Sequence, residues 1–176
     1  MNHESEKLRI EALSPQNLEK VFAFEGTYRD YFASVLPARP EGYFAWDSFL
    51  SIQEGILEDQ AAGRCALYLL LRKDGEMIGR VNLSQIEGGN AEIGYRIAPQ
   101  AQGYGCASRG VDLVCREAFG PLGLHRLEAG VAPENIASQR VLIKNRFQPI
   151  GRARQVFQVG GIWQDSLLFD RVDGLD

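Results

Sequence analysis

Histidine and cysteine are scarce in this 176-residue chain, with two of the first and three of the second. His3 and His125 carry no catalytic pattern, and His125, just before a strand, reads as structural. Cys65, Cys106 and Cys115 are odd in number and lack metal-ligand spacing, which argues against a zinc site or a disulfide framework. Long hydrophobic runs are also missing: the longest, Ala66 to Leu71, falls far short of the roughly 20 residues a membrane span needs. The start, MNHESEK, has no apolar signal segment, so a cytoplasmic protein that enters no membrane is expected. Positive charge is not in surplus either. The net charge is −4, and phosphate backbones are held mainly by excess Lys and Arg, so direct nucleic-acid binding is not expected. Repeats, low-complexity tracts and linkers are absent. The composition, 45% hydrophobic and 24% charged, predicts a single domain over 1–176 with a sizeable core.

What is present is alternation of strand and helix signals. Leu8, Ile10 and Ala12 alternate with polar neighbours, as in an edge strand. Ser14-Pro15 reads as a helix start, followed by Leu18, Val21, Phe22 and Glu25 at helical spacing. Pro37 and Pro40 mark a loop, and Phe44, Phe49, Ile52 and Ile56 suit a second helix ending near Gly63. Strands are predicted from Cys65 to Arg72, Glu76 to Ile86 and Ala91 to Ala98. From Gly103 the period changes: Tyr104, Ala107, Val111, Val114 and Ala118 form an apolar helical stripe. Leu127, Ala129 and Val131 make a strand, Asn135 to Asn145 a helix, and Gln148 to Phe157 and Ile162 to Phe169 a closing pair of strands. The expected order is βααβββαβαββ.

The stretch EIGYRIAPQAQGYGCAS, Glu92 to Ser108, joins a strand to a glycine-bearing turn that opens a helix. Such a turn lets the backbone approach a ligand closely, and the first N–H groups of a helix point outward beside the positive end of its dipole. A pyrophosphate suits that place. The spacing lacks the Lys-Ser/Thr of a nucleotide triphosphate loop and comes too late for a dinucleotide fingerprint. Alternatively, Gly103 and Gly105 only make a tight turn. Arg96, Arg109, Arg140, Lys144 and Arg146 surround this segment and the next one, where they either attract phosphate or remain solvated surface charges.

A second segment, PENIASQRVLIKNRF from Pro133 to Phe147, places Asn135 and Ser138 on a helix. Together the two segments resemble the GNAT superfamily of acetyl-CoA-dependent N-acetyltransferases, and within it the Rim-type enzymes that acetylate ribosomal-protein N-termini. The resemblance runs from about Arg9 to Leu168 in element order and is loose in the first half. It implies an α/β GNAT fold: a mixed central sheet with helices on both faces, whose parallel strands Ala91 to Ala98 and Leu127 to Val131 splay apart to admit the coenzyme's pantetheine arm as a pseudo-strand. Acetyl-CoA would be a cosubstrate, with no metal. Ile97, Gln102, Gly103, Tyr104, Gly105, Cys106, Ala107 and Asn135 would bind it. Asn135 also reads as a helix N-cap. Cys106 is a candidate thiolate at a helix start, but direct acyl transfer needs no covalent intermediate, and Cys is often a small core residue.

Acyl transfer needs a neutral amine. At pH 7 roughly one α-amine in ten is neutral, against roughly one lysine in a few thousand. A base, oxyanion donors and an acid for the departing thiolate complete the requirement. Glu92 is the candidate base, directly or through water. It reads equally as a strand-end carboxylate in solvent or paired with Arg96 or Arg126, and Glu128 is the second candidate. By the resemblance, Ser138 stands near the thiolate. Trp46, Tyr31 and Phe32 fall where this fold shapes the acceptor site, but read first as packing residues. Trp163 and Asp165 resemble a Trp-x-Asp feature of Rim-type chains, although Ser166 replaces its following His. Gln100 stands where Arg is frequent, and Arg146 where Gly is usual. If that last position is left-handed, a side chain there costs about 1 kcal/mol or more, unless Asn145 takes the role. The expected activity is transfer of acetyl to a protein or peptide N-terminal amine, by direct transfer in a ternary complex of a monomer or homodimer. The alternatives are a small amine such as a polyamine, amino acid or antibiotic, and a noncatalytic acyl-CoA sensor.

Overall fold

The computed structural model describes residues 7–174 and contains a seven-stranded sheet flanked by helices. In chain order the elements are β1 (Arg9–Ala12), α1 (Leu18–Thr27), α2 (Arg29–Val35), α3 (Trp46–Ala61), β2 (Ala66–Leu71), β3 (Met77–Glu87), β4 (Asn90–Ile97), α4 (Cys106–Phe119), β5 (Arg126–Val131), α5 (Ile136–Lys144), β6 (Gln148–Val159) and β7 (Ile162–Val172). The expected order departs at one place. The first helical stretch is two helices, because Tyr28 (φ −108°, ψ 19°) leaves helical geometry just after Gly26, a residue type that weakens helix interiors. His3 lies outside the described residues.

The sheet order is β1-β2-β3-β4-β5-β7-β6, antiparallel throughout except for the parallel pair β4–β5. β1 is an edge strand, as its half-polar pattern predicts. Side chains alternate across a strand, so neighbouring residues of β3 show what covers each face. Arg80 faces α1, where it bonds to Glu25, and Val81 faces α4. Helices therefore cover both faces, as expected.

Helix α4 lies close against the sheet. A Cβ on Gly110 would meet Leu70 Cδ2 at 2.9 Å and Val81 Cγ2 at 3.2 Å, so any side chain there would have to push these two aside. Val111, Val114 and Ala118 are fully buried there, and each such valine contributes about 1.5–3 kcal/mol. Tyr104 does not belong to this stripe. The helix begins only at Cys106, and Tyr104 sits in the preceding turn, 49% exposed.

Candidate active site

The two parallel strands share only three register pairs: Asn90 with Arg126, Ala91 with Leu127 and Glu92 with Glu128. Beyond them each strand keeps only its outer neighbour, β4 pairing with β3 as far as Ile97 and β5 with β7 as far as Val131. The sheet is thus open on its inside from Ile93 onward. The expected splay is present, and Glu92 stands at its vertex.

At the far end of β4 the chain turns into α4. Gly103 (φ +80°) and Gly105 (φ +81°) both take the left-handed conformation that side chains disfavour, and Gly105 is the N-cap of α4 without any side-chain cap. Among the described residues, the N–H groups of Gly103, Tyr104 and Gly105 meet no acceptor within the protein. The turn is tethered from the opposite face: Gln102 Nε2 donates to Tyr31 Oη (2.6 Å) and to the Ile97 carbonyl (3.3 Å), and Gln100 Nε2 donates to Tyr28 Oη. Cys106 is buried (2% exposed) and Ala107 half-buried, so Cys106 is core rather than an exposed nucleophile. A surface cavity of about 450 Å³ lies beside Cys106 between Lys7, Leu8, Arg72, Lys73 and Asp74, which gives this helix start a basic surround.

The basic residues expected to serve the turn are distributed otherwise. Arg96 points to the opposite face of the sheet, and Arg109 is occupied by Asp112 at 2.6 Å. Arg140 and Lys144 are exposed on α5.

Helix α5 borders the splay. Asn135 is its N-cap, with Oδ1 accepting the Ser138 N–H at 3.0 Å, so the capping role is real and the side-chain NH2 is left over. Ser138 is half-buried. Tyr95 of β4 aims its hydroxyl at the Ser138 carbonyl (3.5 Å), and burial pushes the phenol pKa up despite that contact. The phenol therefore keeps its proton at neutral pH, and the sequence reading missed it because Tyr95 looks like an ordinary apolar strand residue. The left-handed position belongs to Arg146 (φ +65°), not to Asn145. Asn145 is instead buried, donating to the Ser108 carbonyl (3.1 Å), Ser108 Oγ (3.2 Å) and the Val141 carbonyl (2.8 Å), which clamps α5 to α4.

Of the two candidate bases, Glu128 accepts a hydrogen bond from Arg126, which also donates to Asp170 at 3.0 Å. Glu92 is exposed and has no ionic partner among the described residues, because Arg96 and Arg126 are both engaged elsewhere. Trp163 is 55% exposed, while Asp165 ties the β6–β7 hairpin through Arg152 Nε (2.8 Å) and the Gln155 N–H (2.9 Å). Those bonds, the backbone one first, hold its carboxyl below the usual range. Ser166 is buried against Gly130.

On the α1 side of the sheet lies a cluster that no local motif announces. Glu25 (1% exposed) accepts Arg39 Nε at 3.0 Å and Arg39 Nη2, and Arg80 Nη1 at 3.0 Å, with Arg96 Nη1 at 3.5 Å. Burial alone would raise the Glu25 pKa, but the Arg39 hydrogen bond and the three cationic charges outweigh it and lower it. Arg96 drops to about 10 through burial and the neighbouring Arg39 charge. A cavity of about 230 Å³ opens beside the cluster, lined by Arg29, Phe32, Arg39, Glu41 and Arg96 among others. The available signal was Glu25 itself, an acid placed on the apolar spacing of Leu18 and Val21.

Cys65, Cys106 and Cys115 are thiols, and burial pushes Cys115 up to about 11. Among the described residues no group of His, Cys, Asp or Glu is placed to hold a metal, and no helix is long and apolar enough to cross a membrane.

A splayed parallel pair beside a glycine turn defines an acyl-coenzyme-binding class of fold. Residues 7–148 match the acetyltransferase (GNAT) domain, and the chain belongs to that family of N-acetyltransferases. It is similar to the probable N-acetyltransferase YjcK of Bacillus subtilis (31% identity, 89% of this chain and 88% of that one). Its fold matches the ribosomal-protein-S5-alanine acetyltransferase of Vibrio fischeri with a TM-score of 0.90 (21% identity, 99% and 97% covered). It also matches the spermidine N-acetyltransferase of Vibrio cholerae, solved with CoA and spermine, with a TM-score of 0.79 (22% identity, 95% and 96% covered).

Proposed function

We propose that the chain works as one acetyltransferase domain that moves the acetyl group of acetyl-CoA to the N-terminal α-amine of a protein or peptide, such as a ribosomal protein. The observation that carries the reading is the splay, ending at a turn whose N–H groups lack acceptors. The likeness in fold to a ribosomal-protein acetyltransferase supports the acceptor class, and the thiols suit a reducing, cytoplasmic setting.

The residues present fit the coenzyme. Unpaired edges of β4 and β5 offer backbone partners to the pantetheine arm near Ile97, and within the Gln102–Ala107 segment the N–H groups of Gly103, Tyr104 and Gly105 are offered to the pyrophosphate. The Asn135 NH2 group is available to an amide carbonyl. When bound, acetyl-CoA supplies an activated acetyl thioester, and transfer forms one C–N bond as one C–S bond breaks. Glu92, free of ionic partners, takes a proton from the incoming ammonium, directly or through water. The Ser138 hydroxyl, near the Tyr95 phenol, supplies a proton to the departing sulfur and regains one from the reacting nitrogen as the amide forms.

A calorimetric titration with acetyl-CoA tests the reading. The unmodified protein is expected to bind saturably. Gly105→Glu places a carboxylate on the turn and strains φ +81°, and is expected to weaken binding at least a hundredfold with the fold kept. No binding by the unmodified protein would sink the proposal. Binding without transfer to any peptide or small amine would identify a sensor.

A further inference from the structure

We infer that the arginine-lined cavity between α1, α2 and the 37–44 loop holds an acidic side chain of the acceptor, and so selects peptides with Asp or Glu a few residues after the reacting N-terminus. This rests on the peptide acetyltransferase reading and adds the acceptor's chemistry to it.

Charge comes first. Arg29, Arg39 and Arg96 line the cavity and Arg80 stands behind it, against the carboxylates Glu25 and Glu41. Both Glu25 oxygens are already taken by guanidinium groups, so the lining keeps an excess of positive charge. Arg29 rests on the Phe44 ring, 4.5 Å from its centroid, with no ion pair among the described residues. Arg96 rests on the Phe32 ring at 5.1 Å. Arg29, stacked and without an ion pair, keeps its guanidinium edge available, and that fork matches a carboxylate, while Arg39 and Arg96, held by Glu25, add positive charge beside it. A polyamine would meet repulsion here.

Position comes second. Glu92, Gly94 and Arg96 alternate onto one face of β4, and a Cβ at Gly94 would meet nothing within 4 Å, so the strand face is open at the midpoint between the candidate base and the cavity. Four residues of strand span about 13 Å, which an extended peptide covers in three to four residues. The carboxylate of a free amino acid, next to its own amine, does not reach.

The test is a series of peptides beginning Ala or Ser, with Asp, Asn or Lys at each of positions two to five, assayed with acetyl-CoA on the full chain. An Asp peptide is expected to exceed its Asn counterpart about tenfold in kcat/KM, mainly through KM, and the Lys peptide to be poorest. Arg29→Gln, at an exposed position that leaves no buried charge behind, should cut the Asp preference severalfold with Asn-peptide rates unchanged. Arg39→Gln should do the same while Arg80 still holds Glu25. Equal rates for Asp and Asn peptides, or a preference for Lys peptides or spermidine, would overturn the inference but leave the transferase standing. An aspartate acetylated as well as the best peptide would also overturn it. Calorimetry with N-acetyl-Ala peptides of the same series reads the cavity without turnover. Asp-selective binding without any transfer would sustain the cavity and sink the enzyme, and unselective binding would sink the cavity.

Discussion

The two faces of the sheet at the splay are built from different materials. On the α4 face the chain presents backbone: N–H groups without acceptors, set by two left-handed glycines and by a helix start with no side-chain cap. On the α1 face it presents side chains: four arginines and one buried carboxylate drawn from α1, α2, β3, β4 and the 37–44 loop. Backbone geometry suits a ligand part that is the same in every turnover. Side chains suit the part that differs between acceptors, because they can be exchanged without disturbing the turn.

The sharpest way to break this division is Glu25→Gln. It leaves Arg39, Arg80 and Arg96 facing one another without their anion, and is expected to cost about 3 kcal/mol in denaturant unfolding while acetyl-CoA affinity in the folded fraction stays unchanged. Because the folded-state pKa of Glu25 is lowered, its contribution is present above the unfolded carboxylate range and is lost as pH falls through the folded value. The unmodified protein should therefore lose stability in acid more steeply than Glu25→Gln does.

Ser138→Ala comes next. Turnover should fall about a hundredfold with coenzyme affinity unchanged, since the helix cap uses the Ser138 N–H and not its hydroxyl. Full turnover would remove the proton-donor role. Asn135 separates the two demands on one residue. Asn135→Ala should cost about 1 kcal/mol in thermal unfolding through the lost cap. Asn135→Asp should keep the cap and lose affinity for acetyl-CoA in calorimetry. The smallest effect is expected of Arg146→Gly, which relieves φ +65° and should raise stability by about 0.5–1 kcal/mol, with no change in binding.

The α4 face was legible in the sequence because its devices are local. Glycines, an apolar stripe and an N-cap occupy neighbouring positions, and so the turn, the helix order and the Asn135 cap could all be read from the chain. The α1 face was not, because Glu25, Arg39, Arg80 and Arg96 are far apart in sequence and each alone looks like a solvated charge. Arg96 was grouped with the basic residues around the turn for that reason: strand alternation shows that it opposes its neighbours, but not what waits there. The divided first helix was missed because tertiary contacts override weak local preference there, whereas the left-handed position, narrowed by the sequence to Arg146 or Asn145, falls on Arg146.

The splay also bears on a hazard that sheet proteins face. Unpaired strand edges on the outside of a sheet invite other chains to add to them, and proteins blunt such edges with charge, twist or cover. Here the bare edges of β4 beyond Glu92 and of β5 beyond Glu128 face each other inside the sheet, each backed by a paired strand. A stranger's strand, with side chains on both faces, has no route into that slot, whereas a thin unbranched chain does. The protein thus keeps an adhesive edge open to a slender ligand while turning it away from the rim of the sheet, where other chains would add.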